Sequence, residues 1–215
     1  MNQTEINGWG YYNLMDEIKY DAYSRQVLGD KPNNFNSTLS SPQNKLVFEM
    51  MKDPYIFDIT TLKNDYLERE LESAMVEKIK MILLELGNGF SFVGNQYKLE
   101  INHKDYYIDL LFYHLKLHCY IVVELKNTEF KPEYVGKVNF YLSAVDDSLK
   151  DDLDNPTIGL ILCKEKDKLS VEYALKDVHK PIGVSSYELT KYLPKNFVQN
   201  LPTEEDINLH LDIND

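Results

Sequence analysis

Cysteine is scarce in this chain, with two among 215 residues, and both stand inside apolar runs: Cys119 in "HCYIVVEL" and Cys163 in "TIGLILC". Two thiols cannot by themselves make a four-ligand zinc site, and their apolar setting predicts buried, reduced side chains. No apolar run approaches the roughly 20 residues that a membrane-spanning helix needs. The first residues, "MNQTEINGWGYYN", have neither a basic start nor an apolar core, so no secretory signal is expected and the cytoplasm is the default location. Positive charge is also in deficit: 23 Lys and Arg stand against 35 Asp and Glu, for a net charge of −12. That balance argues against a broad nucleic-acid-binding surface without excluding one, since a local basic groove or a bound metal can outweigh the global field. The glycines lack Rossmann spacing and a P-loop lysine, and no H-E-x-x-H occurs.

What remains is a globular composition, 43% hydrophobic and 27% charged, long enough to bury a substantial core. Residues 11–28 have apolar positions at helical spacing, and "GDKPNNFNSTLSSPQN" is expected to be a linker or surface loop. "KLVFEMMKDPYIFD" predicts a short helix stopped by Pro54. In residues 60–89 the clearest helix has a cap at Thr60 or Thr61. Its apolar stripe runs through Leu67, Leu71, Ala74, Met75, Ile79, Ile82, Leu83 and Leu86, and Gly87 or Gly89 stops it. Three strand-like runs follow, "FVGNQYKLEIN", "DYYIDLLFY" and "CYIVVELK". Then come a helix opened by Pro132, a buried strand "TIGLILC", a short helix "VEYALKD", a strand "KPIGVSS", a helix "YELTKYL" and an acidic tail. One α/β sheet flanked by helices is the economical way to bury this order.

The two central runs carry charge where a buried sheet ordinarily rejects it: Asp109 in the first, Glu124 and Lys126 in the second. A hairpin turning at Lys116–Leu117 sets residue 109 opposite residue 124, with Lys126 two residues further along the same strand. Two opposed carboxylates repel, and desolvation sharpens the cost. Either one is protonated or a cation lies between them. Mg²⁺ suits such a pair, because it takes one or two carboxylates and leaves coordination open to water and phosphate. With Lys126 as a fixed cation, these parts fit phosphodiester hydrolysis.

The blocks "DPYIFD", "LELGNGFSFVGNQYKLEI", "YYIDLLFYHLKLHCYIVVELK", "FKPEYVGKVNFYLSAVDD", "PTIGLILCK" and "VEYALKDVHKPIGVSSYELT" resemble, in order, the PDDEXK nuclease domain of YhcG-type bacterial proteins. The resemblance runs from about Asp53 to about Leu193. It implies a restriction-endonuclease-like αβββαβ core with a mixed central sheet and Mg²⁺-dependent cleavage of nucleic acid, Mn²⁺ substituting. It also implies DNA over RNA, and a homodimer by superfamily analogy. Asp109 matches the family's metal-binding aspartate, and Glu124 with Lys126 its E-x-K pair. A further metal-binding glutamate on the first helix is assigned to Glu72, with Glu77 as the alternative. Gln96 matches a family glutamine placed to meet substrate; an arginine more often precedes it, where this chain has Asn95. On the second helix, Tyr134 and Lys137 are candidates to meet phosphates, while Tyr141 is expected in the core.

The implied organisation is a helical remnant and linker over 1–52, a nuclease domain over 53–195 and an acidic tail over 196–215. Family members carry a larger helical region before the nuclease domain, through which a partner could bind. Two other functions stay open: a non-catalytic nucleic-acid-binding or assembly module of a larger defence or mobile-element system, and a hydrolase of small phosphorylated metabolites. His114 and His118, four apart, are expected to be structural or solvent-facing because they flank a turn rather than share a helix face.

Overall fold

The structure, a computed structural model, describes residues 18, 20–57, 67–77 and 79–189. After a short π-helical segment, Ser24–Leu28, the described elements are α1 (Phe35–Thr38), α2 (Ser41–Met50), β1 (Tyr55–Phe57), α3 (Glu68–Glu77), α4 (Ile79–Leu86), β2 (Phe90–Ile101), β3 (Lys104–His114) and β4 (Cys119–Leu125). They continue with α5 (Glu133–Ser148), β5 (Ile158–Cys163), α6 (Lys168–Leu175) and β6 (Ile182–Leu189). The six strands form one mixed sheet in the order β1-β6-β5-β4-β3-β2. β2, β3 and β4 make an antiparallel meander, and β4, β5, β6 and β1 run parallel. The expected hairpin holds: Leu110 pairs with Val123 and His114 with Cys119, so the turn is centred on Lys116–Leu117. No helix among the described residues is long and apolar enough to cross a membrane.

Both faces of the sheet are covered. On one side Leu71, Met75, Ile82 and Leu86 of α3 and α4, with Phe35, Val47 and Met51, pack on Leu110, Phe112, Val123 and Leu160. On the other, Val135, Val138, Leu142 and Val145 of α5 and Val171 of α6 pack on Leu111, Val122, Ile161 and Val184. Strand β5 is buried along its whole length, as its unbroken apolar run requires in a parallel sheet with two covered faces. Tyr141 lies in this second core and donates from its hydroxyl to the Tyr107 carbonyl at 2.7 Å.

Several expectations need correction. The Gly-, Asn- and Ser-rich stretch is not all loop: it holds α1 and the start of α2, where Pro42 occupies the first turn and its missing N–H costs nothing. Tyr55–Phe57 is a strand, paired in parallel with Tyr187–Leu189. At three residues it is too short to stand out without its partner, and it makes those three residues the end of β6 rather than a helix start. Leu67 is 65% exposed, outside the apolar stripe, because α3 begins one residue later. The expected caps at Thr60 and Thr61, the residues of "YELTKYL" beyond Leu189, residues 11–17 and 19 of the first helical run and the acidic tail lie outside the described residues.

His114 is buried and structural: its Nδ1 accepts from the Leu117 N–H at 3.1 Å, and its Nε2 lies 3.2 Å from the Asn88 carbonyl. Helix α5 approaches β5 closely at Gly159, where an added Cβ would come within 2.5 Å of Val138 Cγ1. Gly159→Ala is therefore expected to overpack this contact and lower stability by about 1–3 kcal/mol, measured by urea unfolding. An unchanged midpoint would show that α5 can move outward without penalty.

Candidate active site

Glu124 ends the apolar run of β4 with none of its surface exposed. Its Oε1 faces two ammonium groups, Lys126 Nζ at 3.0 Å and Lys137 Nζ at 2.5 Å. Lys137 reaches it from α5, one residue before the Val138 that packs on Gly159. Lys126, only 8% exposed, also donates to Glu68 Oε2 of α3 at 2.9 Å. Burial alone would pull both ammoniums down, but Glu124 and its neighbouring acids outweigh it and hold both lysines above their usual pKa. Glu124 Oε2 is buried and finds no hydrogen-bond partner among the described residues.

Asp109 stands where the β3–β4 pairing ends. Past the Leu110–Val123 pair, its Oδ2 accepts from the Leu125 N–H at 2.9 Å. Burial first, and the charge of Glu124 second, push its carboxyl up to about 6; the Leu125 N–H, Lys137 and Lys126 oppose that shift. The pleat is irregular here. Ile108 and Leu111 both face the α5 core while Leu110 and Phe112 face the other, so strict alternation fails across Asp109. The facing residue on β2 is Gln96, between the pairs Asn95–Leu110 and Tyr97–Ile108, and its φ is +41°. A left-handed conformation in a residue with a Cβ costs about 1–3 kcal/mol and persists only where its surroundings impose it.

Gln96 Nε2 donates to Glu72 Oε2 at 2.6 Å and lies 3.5 Å from Asp109 Oδ1, at the limit of a hydrogen bond. Asn95 Nδ2 donates to Glu72 Oε1 at 3.3 Å. Glu72, on α3, is buried. These side chains open onto a cavity of about 340 Å³ lined by Glu68, Arg69, Glu72, Gln96, Asp109 and Leu125.

The structure thus brings Asp109, Glu124, Lys126, Lys137, Glu72 and Gln96 into one region where α3, α5 and the sheet meet. Glu77, the alternative to Glu72, is exposed and outside the cavity lining. Tyr134 sits at the margin, its ring centroid 5.4 Å from Lys126 Nζ and its hydroxyl 2.9 Å from Thr128 Oγ1. Sequence reasoning missed Glu68 and Arg69; their position in the first turn of α3, one helical turn before Glu72, was the available signal.

Among the described residues, no group of three or more His, Cys, Asp or Glu side chains could hold an ion by itself. Mg²⁺ asks for less, one or two carboxylates completed by water and phosphate. The partnerless Glu124 Oε2, with Asp109 beside it, fits that requirement.

The raised Asp109 pKa has a stability consequence. Between its ordinary value and about 6 the folded chain binds the proton that the unfolded chain releases, so metal-free protein loses stability as pH rises through that window. Asp109→Asn is expected to be the more stable protein at pH 7.5 in EDTA, by about 1–3 kcal/mol, with the advantage vanishing near pH 4. Urea unfolding at both pH values checks this, and equal stabilities throughout would mean that Asp109 ionises without cost.

The family model for the YhcG PDDEXK nuclease domain matches residues 48–202. The chain is 32% identical over 183 residues to the YhcG protein of Escherichia coli (strain K12), covering 85% of this chain and 49% of that protein. It therefore spans about half the length of that relative. Among solved structures, similarity extends to a repair endonuclease from Pyrococcus abyssi (TM-score 0.38, 13% identity, 61% of this chain and 50% of that one). An EndoMS–double-stranded DNA complex gives a TM-score of 0.39 at 13% identity, over 62% of this chain and 50% of that one. The order α3–α4, β2, β3, β4, α5, β5 is the αβββαβ core of a restriction-endonuclease-like fold. With its family model covering most of the sequence, the chain belongs to the YhcG PDDEXK nuclease domain family.

Proposed function

We propose that this chain is a Mg²⁺-dependent nuclease that hydrolyses phosphodiester bonds in DNA, with Mn²⁺ able to substitute. The observation that carries this reading is the buried Glu124 carboxylate, with one oxygen paired to two ammoniums and the other partnerless, next to an Asp109 that burial and Glu124 hold protonatable near pH 6. Asp109 and Glu124 are the metal ligands in this reading, with Glu72 contributing from α3. The ion, when bound, supplies Lewis acidity and lowers the pKa of a water.

The protein's own groups do the rest. Hydrolysis adds a water oxygen to phosphorus, breaks one P–O ester bond and releases a proton, so negative charge builds on the phosphoryl oxygens. Lys126, fixed between Glu124 and Glu68 and held protonated, places a positive charge beside the reacting phosphate without reorganisation. Lys137 and Tyr134 are the proposed backbone contacts: the Lys137 side chain is 40% exposed, so its ammonium can turn from Glu124 toward a phosphate. The nuclease domain is assigned to residues 53–195, with a helical remnant over 1–52 and an acidic tail over 196–215. Buried free thiols at Cys119 and Cys163, both pushed up to about 12 by burial, suit a cytoplasmic protein. A homodimer that cuts both strands is the assembly implied by superfamily analogy alone.

The net charge of −12 and the coverage of about half of a longer relative favour a second reading, a nucleic-acid-binding or assembly module without catalysis. The two separate cleanly. Purified protein is expected to cut DNA with Mg²⁺ or Mn²⁺ and to stop in EDTA. Asp109→Ala and Glu124→Ala should abolish cutting, and Lys126→Ala should slow it on the order of 10²–10³-fold. Nucleic-acid binding that ignores all three substitutions, with no cleavage of double-stranded, single-stranded or branched DNA or of RNA, would leave the binding module standing.

A further inference from the structure

Adjacent residues of a regular strand point to opposite faces of the sheet. Asn95 and Gln96 do not: both side-chain amides donate to the same carboxylate, Asn95 to Glu72 Oε1 and Gln96 to Glu72 Oε2. The left-handed backbone of Gln96, at φ +41°, lets two consecutive side chains converge, and a bulge between Phe92 and Gly94 lies just before it. Glu72 is buried, so its two oxygens need these donors.

The Gln96 carboxamide has two N–H hydrogens on Nε2. One is directed at Glu72 Oε2 at 2.6 Å, and the other has Asp109 Oδ1 at 3.5 Å. The opposite amide orientation would set a carbonyl oxygen against two carboxylates, so the donor assignment follows from the neighbours. A substrate phosphate offers only acceptor oxygens, and the shorter of these two bonds already commits the amide to Glu72.

We infer that Asn95 and Gln96 form an amide clamp that positions Glu72 of α3 beside Asp109 of β3, and that Gln96 is a positioning residue rather than a contact to nucleic acid. The clamp joins the helix to the sheet at the point where the cavity opens. It fixes which way the Glu72 oxygens face, as outer partners do for carboxylates that hold metals. The metal-binding consequence rests on the nuclease reading; the clamp itself does not.

Two measurements on the full chain test it. Calorimetric titration of Mn²⁺, without nucleic acid, compares wild type with Gln96→Met, Gln96→Ala and Asn95→Ala. Gln96→Met keeps the approximate shape, removes both donors and adds no charge, and both Gln96 variants are expected to weaken Mn²⁺ about tenfold or more. Binding to duplex DNA in EDTA should stay within about twofold of wild type, as expected for a residue with no phosphate contact. Unchanged Mn²⁺ affinity with weakened duplex binding would overturn the inference and make Gln96 a substrate contact. The second measurement is a double-mutant cycle of Gln96→Ala with Glu72→Ala, read by urea unfolding in EDTA, where the two effects should be non-additive. Additive effects would also overturn the clamp. A wild-type chain that binds no Mn²⁺ would count against the nuclease reading, while the unfolding cycle would still decide the clamp.

Discussion

Taking a lone carboxylate out of water costs several kcal/mol, and Glu124 is wholly out of water at the end of β4. Its position is tolerable because two ammoniums arrive from different parts of the chain. Lys126 is supplied by the same strand two residues on, and Lys137 by α5. The second requirement reaches far into the fold. Lys137 meets Glu124 only if α5 lies close on the sheet, which in turn needs a residue without a Cβ at Gly159 beneath Val138. Lys126 needs a second acid to hold it, and α3 brings Glu68 there from across the molecule. A single buried carboxylate thus dictates where two helices sit.

Much of this could be read from the residues. The apolar runs either side of Lys116–Leu117 set the hairpin register, which ends at Leu110–Val123; just beyond it Asp109 binds the Leu125 N–H, between Glu124 and Lys126, rather than continuing the ladder opposite Glu124. The periodicity of Val135, Val138, Tyr141, Leu142 and Val145 identified the buried face of α5. What could not be read depends on distant partners. The strand Tyr55–Phe57 exists only by pairing with residues about 130 positions later. The convergence of Asn95 and Gln96 requires a positive φ at a residue with a Cβ, which local sequence does not encode in the way that glycine does. Gln96, expected to meet substrate, donates from its amide to Glu72 at 2.6 Å, a partner that its sequence neighbours do not reveal.

The whole chain and the site both carry an excess of acid, but the site's excess is small. The acids Glu68, Glu72, Asp109 and Glu124 share this region with Arg69, Lys126 and Lys137. One negative charge is left over when every group is ionised. Protonation of Asp109 cancels it, and in the nuclease reading a divalent ion reverses it. In that reading the ion turns a region that repels phosphate into one that attracts it, so the global excess of acid does not decide what the site can bind.

The irregularity of β2 has a consequence away from the cavity. β2 is an outermost strand of the described sheet and runs for twelve residues, Phe90–Ile101. An open edge of that length, if regular, is a template along which another chain can add by backbone pairing, the route to aggregation. The bulge after Phe92 and the left-handed turn of the backbone at Gln96 cut it into short pieces whose N–H and C=O groups do not present one continuous ladder. The same backbone distortion that gathers two amides on one glutamate also blunts the sheet's exposed border. Selection for solubility and selection for site geometry would then act on the same few φ and ψ angles.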